Sequence, residues 1–254
     1  MKDRIMLGLN KHLQISPLLL LAAFLLIACQ PAPAAAEPTV DLTAVYSQVA
    51  ATLAAEQSAA PSLTATQESQ AAGVIFEDDF ADVMSGWEIR NESTAVTDYR
   101  DGVFVIQVNI ADTSLWSKPH GSFENVHISV DALQTAGPAK NLFGIICRYQ
   151  DSDNFYRFVI GADGFAGITK RSNGEVIVIS AALLTVSPAV NQGFAANHIE
   201  AFCAGPNLAL WVNGQQVAEA VDEEFSSGEI GLIASSGAEA GIEIHFDNFV
   251  VSGP

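Results

Sequence analysis

Two arginines and an aromatic ring in one strand pair are the groups in this sequence best suited to hold a ligand. They lie within 142–160, LFGIICRYQDSDNFYRFVI, which reads as two strands joined by a polar turn. With Gln150 to Asp153 as the turn, Tyr149 faces Asn154 and Cys147 faces Tyr156. Cys147, Tyr149, Tyr156 and Phe158 then share one face, and Ile146, Arg148, Phe155 and Arg157 share the other. Two guanidiniums beside a phenyl ring suit sugar hydroxyls or a uronic carboxylate, through bidentate hydrogen bonds and stacking. The alternative is that both arginines pair with the chain's own carboxylates. Trp87, Trp116 and Trp211 are the natural stacking platforms for sugar rings, although most tryptophans of a β-sandwich are core. Trp116, followed by Ser117, Lys118, Pro119 and His120, reads as a loop residue and the best exposed candidate.

The elements that must position these groups come after an address. Lys2, Arg4 and Lys11 precede an apolar run, LLLLAAFLLIA at Leu18 to Ala28, too short to span a bilayer comfortably. Leu26-Ile27-Ala28-Cys29 resembles a bacterial lipobox. That resemblance implies a signal peptide over 1–28 and a diacylated Cys29 as the first mature residue, with two or three acyl chains anchoring it stably to the cell envelope. Gln30 follows, so the aspartate that would suggest inner-membrane retention is missing. The chain carries a formal charge of −18, and beyond residue 28 it holds 8 basic against 28 acidic residues. Nucleic acid is excluded as a partner, because it needs a basic face.

Residues 29–72 are rich in Ala, Pro, Ser, Thr and Gln and read as a stalk. Leu42, Val45, Val49 and Leu53 recur at helical spacing within it, as a short stiff helix or a weak self-association seam. From Gly73 the texture changes to alternating runs such as Phe104 to Ile110 and Val126 to Ala132. These are separated by Asp101-Gly102, Asp163-Gly164, Asn173-Gly174 and Asn213-Gly214, each a hairpin signal. Roughly a dozen strands with no convincing helical period specify an all-β sandwich over 73–254. Cys147 and Cys203 both fall inside strands. If those strands are neighbours, a disulfide would close a loop of roughly 55 residues, worth about 4 kcal/mol in chain entropy. Otherwise they are two buried thiols.

FEDDF at Phe76 to Phe80, SGW at Ser85 to Trp87, CRYQDSDNFYRF at Cys147 to Phe158, LWVNGQQV at Leu210 to Val217, SGEIGLIA at Ser227 to Ala234 and HFDNFVV at His245 to Val251 occur in that order. Together they resemble the concanavalin A-like lectin/glucanase superfamily, and within it the laminin G-like and 3-keto-disaccharide-hydrolase-like domains found on bacterial lipoproteins. The resemblance implies a two-sheet jelly-roll sandwich, with a concave face that binds glycans in many members. Related domains often carry structural calcium. Asp78 and Asp79 with Asp247 and Asn248 would supply the oxygens if the first and last strands run side by side; otherwise these are solvated edge charges.

Glu77, Asp79 and Asp82 give E-x-D-x-x-D, superficially similar to the E-x-D-x-x-E of glucanases with this fold. The run opens the domain and ends in Asp, so it reads as coincidence. No G-x-S-x-G, H-E-x-x-H, P-loop or C-x-x-C occurs, and His120, His127, His198 and His245 are scattered. The expectation is a lipid-anchored, non-catalytic binding module for extracellular carbohydrate, with Arg148, Arg157, Phe155 and Trp116 as contacts and no required cofactor. The alternatives are a surface lipoprotein that recognises a protein partner and a glycoside-processing enzyme.

Overall fold

Apolar and polar residues alternating with a period of two can bury only one face of a strand, so two such sheets must close on each other. A computed structural model describes residues 73–254, apart from residue 182. The expected signal peptide, Cys29 and the expected stalk therefore lie outside the described residues. The strands are β1 (Val74–Asp78), β2 (Arg90–Glu92), β3 (Ala95–Arg100), β4 (Val103–Val108), β5 (Ser114–Ser117) and β6 (Ser122–Phe123). Next come β7 (Val126–Ala136), β8 (Asn141–Asp151), β9 (Asn154–Ile160), β10 (Phe165–Ser172), β11 (Glu175–Val178) and β12 (Thr185–Val186). The last five are β13 (Asn197–Ala204), β14 (Asn207–Val212), β15 (Gln215–Val221), β16 (Gly228–Ser236) and β17 (Ile242–Ser252).

The first sheet has the order β15-β14-β13-β7-β17-β4-β3-β2, with β1 also on β17. The second has the order β11-β10-β9-β8-β16-β5, with β12 on β10 and β6 on β16. This is a two-sheet antiparallel jelly-roll sandwich, as the alternating pattern requires. Ile106, Ile128 and Phe246 of the first sheet meet Ile145, Phe158 and Leu232 of the second in one core. Asp101-Gly102, Asn173-Gly174 and Asn213-Gly214 all have positive φ and join adjacent strands as two-residue turns. Asp163-Gly164 differs: it belongs to a longer connection in which Gly161 N donates to Phe165 O at 2.7 Å and Gly164 N to Gly161 O at 2.9 Å.

The hairpin of β8 and β9 departs from the expected register. Cys147 does face Tyr156, but the next pair is Asp151 with Asn154, so three residues of β8 oppose one of β9. Arg148 takes φ 54°, and this bulge exchanges the sides of Arg148 and Tyr149. Tyr149 therefore does not face Asn154. It joins Trp116 and Leu142 over a second apolar cluster, Ile146, Phe155, Val159 and Ile233, on the outer side of the second sheet.

Candidate functional site

The outer side of the second sheet carries the arrangement best suited to hold a ligand. β5 lies against β16, with Trp116 opposite Ile233. Gly231 permits that close approach, since a Cβ there would come within 2.4 Å of Ser117 O. Trp116 thus stands over the sheet in a strand, where a loop was expected. Its ring centroid is 5.5 Å from Phe155 and 6.1 Å from Tyr149, and Tyr149 is 5.3 Å from Phe155. Lys118 Nζ sits 3.9 Å from the centre of the Tyr149 ring, a cation–π geometry. The same ammonium lies 2.6 Å from Glu229 Oε2 and 3.6 Å from Glu88 Oε1. Burial alone would lower its pKa, but the Glu229 bond and the Glu88 charge outweigh burial and hold it above the ordinary value.

Beside these rings is a cavity of about 300 Å³ lined by Glu88, Arg90, Ser114, Trp116, Lys118 and Tyr149. Two aromatic rings, both signs of charge and a hydroxyl thus converge on one space. Such a space can stack against the C–H face of a sugar while donating to and accepting from its hydroxyls.

Of the residues picked from sequence, Trp116 and Phe155 are brought together, but Phe155 is fully buried and supports the rings from below. The expected arginine face does not exist. Arg148 is 2% exposed, and its guanidinium donates to Phe225 O at 2.8 Å and to Glu124 O at 3.1 and 2.9 Å. It fastens two loops, and the bulge is the reason it left the outer face. Arg157 stays on that face at 5% exposure and donates from Nε to Thr169 Oγ1 at 2.9 Å. Burial, reinforced by the Arg171 charge, pulls it down to about 10, so it remains a cation at neutral pH. Among the described residues neither arginine pairs with a carboxylate. Trp87 is core, and its Nε1 donates to Asp78 Oδ2 at 2.9 Å.

β1 and β17 do run side by side, with Asp78 opposite Phe249. The four oxygens expected to share a cation are nevertheless divided. Asp78 accepts from Phe80 N at 2.8 Å, Ser85 Oγ at 2.5 Å and Trp87 Nε1, which uses its carboxylate internally. Asp78, Asp79 and Asn248 line one acidic cavity with Glu77 and Asp82, and it is Asp247 that lies apart, in another with Asp131 and His245. A bulge between Asp247 and Val250 in β17 separates the pair. Among the described residues no group of three His, Cys, Asp or Glu side chains is placed to hold a metal ion.

Sequence reasoning did not pick Tyr149, Lys118, Glu88 and Arg90 as contacts, because the three segments that hold them meet only in the fold. It also left the histidines scattered, whereas the fold sets three of them on the outer side of the first sheet, each beside a carboxylate. His198 Nδ1 is 2.7 Å from Asp131 Oδ1, His245 Nε2 is 2.8 Å from Glu243 Oε1, and His127 Nε2 is 3.0 Å from Glu200 Oε2. The signal available was the strand alternation, which puts all three on polar-facing positions.

The model for a family described as 3-keto-alpha-glucoside-1,2-lyase-like domain matches residues 72–252. No curated protein sequence matches the chain. Among solved structures, carbohydrate-binding module CBM66 from Bacillus subtilis is similar with a TM-score of 0.54 at 18% identity, over 67% of this chain and 97% of that one. The GH43 protein BlXynB from Bacillus licheniformis gives 0.54 at 13% identity, over 70% of this chain and only 39% of its own. A protein of unknown function with a galectin-like fold from Bacillus subtilis gives 0.54 at 10% identity, over 71% and 96%. At these identities the likeness is one of fold.

Proposed function

Because the chain belongs to the 3-keto-alpha-glucoside-1,2-lyase-like domain family, we propose that it is a cell-surface module that binds extracellular carbohydrate without transforming it. The observation that carries this reading is the Trp116 and Tyr149 pair beside a cavity lined by Glu88, Arg90, Ser114 and Lys118. Stacked rings supply affinity for a pyranose face, and the charged rim supplies orientation. The likeness to a carbohydrate-binding module along 97% of that module's length supports it. The lipobox-like Leu26 to Cys29 supports export and a lipid anchor at Cys29, with the domain outside the cytoplasm. The test is a polysaccharide and oligosaccharide binding panel with the wild type, Trp116→Ala and Tyr149→Ala. Binding that survives both substitutions, or capture of one surface protein that no sugar competes away, would remove this reading.

A second reading is favoured by the family's description and by the first sheet. In a 3-keto-glucoside the carbonyl acidifies the C2 proton, so a base at C2 and an acid at the departing C1 oxygen would complete a 1,2-elimination. The cavity of about 210 Å³ that holds Asp131, His245 and Asp247 offers groups of that kind. Turnover of a 3-keto-glucoside that disappears in His245→Ala or Asp131→Asn would establish it, and no turnover by the wild type would end it.

A further inference from the structure

On the outer side of the second sheet, β9 presents Phe155 and Arg157, and β10 presents Thr169 and Arg171. Arg157 stands opposite Thr169 and Arg171 opposite Phe155, so the two arginines are diagonal neighbours, about 7 Å apart at Cβ. Arg157 is enclosed but for 5% of its surface. β8 and β10 flank its backbone on both sides, so what remains accessible belongs to the side chain. Its Nε donates to Thr169 Oγ1 at 2.9 Å, and among the described residues nothing accepts from its two terminal nitrogens. Those nitrogens still meet solvent, whereas Arg171 Nε is enclosed without a partner.

A guanidinium this deeply set normally has a carboxylate against it, because an unpaired charge in a poorly solvated place is costly. The chain holds 29 acidic residues against 11 basic ones, yet it sets a second cation here. Burial, then the Arg171 charge, lowers the Arg157 pKa to about 10, with no acid to offset them. Asp153 Oδ1 lies 3.2 Å from Arg171 Nη2 in the exposed turn before β9, and it answers only that side of the pair. One positive charge is left over, on a fork of two nitrogens that matches the two oxygens of a carboxylate. The place is also continuous with the rings described above. Phe155 precedes Arg157 by two residues on the same side of β9, about 7 Å away. Its ring supports Trp116 at 5.5 Å and Tyr149 at 5.3 Å. A free ion has no use for those rings, whereas an acid group on a sugar stacked against them falls towards the arginines.

We propose that the Trp116 and Tyr149 site extends along β9 to Arg157 and Arg171, and that its ligand is an acidic glycan whose uronate carboxylate the two guanidiniums hold. This rests on the glycan-binding reading and names the class of sugar within it. Arg157 supplies the fork, and Arg171 supplies the second charge.

The test titrates the whole chain with short oligomers of galacturonate and glucuronate and with their methyl esters, which keep the rings and lose the charge. Calorimetry gives the affinities, the Arg157 Nε resonance reports on the site, and melting temperature reports on the fold. The expected result is that one free acid binds at least about tenfold more tightly than its ester and shifts the Arg157 resonance. Arg157→Met should abolish that preference and keep ester binding. It should leave melting temperature equal or higher, because it removes a buried charge that has no partner. Arg171→Gln should reduce the preference. An acid bound no more tightly than its ester would overturn the proposal while the glycan-binding reading stands. A lower melting temperature in Arg157→Met with the acid preference intact would assign Arg157 a structural role and overturn it too. A shift of the Arg157 resonance by sodium sulfate or phosphate, with none by any uronate, would overturn it in favour of a free anion. Binding of no sugar, charged or neutral, would remove both readings.

Discussion

Cys147 of β8 and Cys203 of β13 are joined by a disulfide that ties the second sheet to the first. The two residues are 56 apart in sequence, and both are fully buried in the common core. The covalent tie therefore acts where the two sheets would otherwise separate. Replacing both by Ala is expected to cost about 4 kcal/mol in the chain-entropy account. Chemical denaturation of the double variant against wild type checks this, and an unchanged midpoint would refute it.

Arg148→Ala is expected to weaken the fold and to leave sugar affinity alone. It strips donors from Phe225 O and Glu124 O in a site 2% exposed, a loss of about 2–3 kcal/mol. Equilibrium unfolding alongside a binding isotherm separates the two effects. Reduced affinity at undiminished stability would return Arg148 to the ligand face.

Trp116→Ala is expected to lower affinity for a bound glycan by at least about tenfold with little change in fold. Trp116 packs over Phe155 and Tyr149 from an edge strand and is only partly buried, so its removal opens no central cavity. Calorimetric titration with the best ligand of the panel gives the ratio directly.

Acid is expected to loosen the first sheet and the loop after β15. Burial pushes the Asp222 carboxyl up, but bonds from Lys170 Nζ at 2.5 Å and Tyr156 Oη at 2.6 Å outweigh it and hold the group below its ordinary 3.8. Burial likewise opposes, and Thr135, His245 and Arg100 outweigh it, at Glu243, which lies below 4.5. Both contribute stability that is complete above the unfolded values and is lost as pH falls through the lower folded ones. Burial first, then the Asp222 bond, pushes the Tyr156 phenol up to about 12. Its contribution is complete below 10.0 and is lost as pH rises towards 12. Melting temperature should be level between those limits and fall outside them, with a smaller acid-side fall in Lys170→Met.

Cys29→Ser is expected to release the protein from the envelope or block its processing, because two or more acyl chains are what would make attachment stable. Fractionation of cells expressing either form decides it. Continued retention of the variant after its signal peptide has been removed would exclude lipid as the anchor.

The sandwich was legible because strand alternation and turn dipeptides are local properties. Asn213-Gly214 dictates φ 50° and 77° wherever the rest of the chain goes. Pairing Cys147 with Cys203 needed only that both lie on core-facing positions, and each does. The candidate site was half legible. Trp116 was visible by type, but Tyr149, Glu88 and Arg90 come from separate segments, and Lys118, two residues along from Trp116, read as loop. The bulge at Arg148 has no sequence signature, since a non-glycine residue at φ 54° is held there by bonds to Glu124 and Phe225 far along the chain.

The sequence by itself determined the all-β class, the hairpin turns and which cysteines lie inward, because each follows from backbone preference and a period of two. Only the tertiary structure decided which polar side chains are free to meet a ligand. Register is a sum over both strands of a pair, and a bulge re-aims the side chains within it. The bulge in β8 turned Arg148 inward onto two carbonyls and brought Tyr149 out beside Trp116.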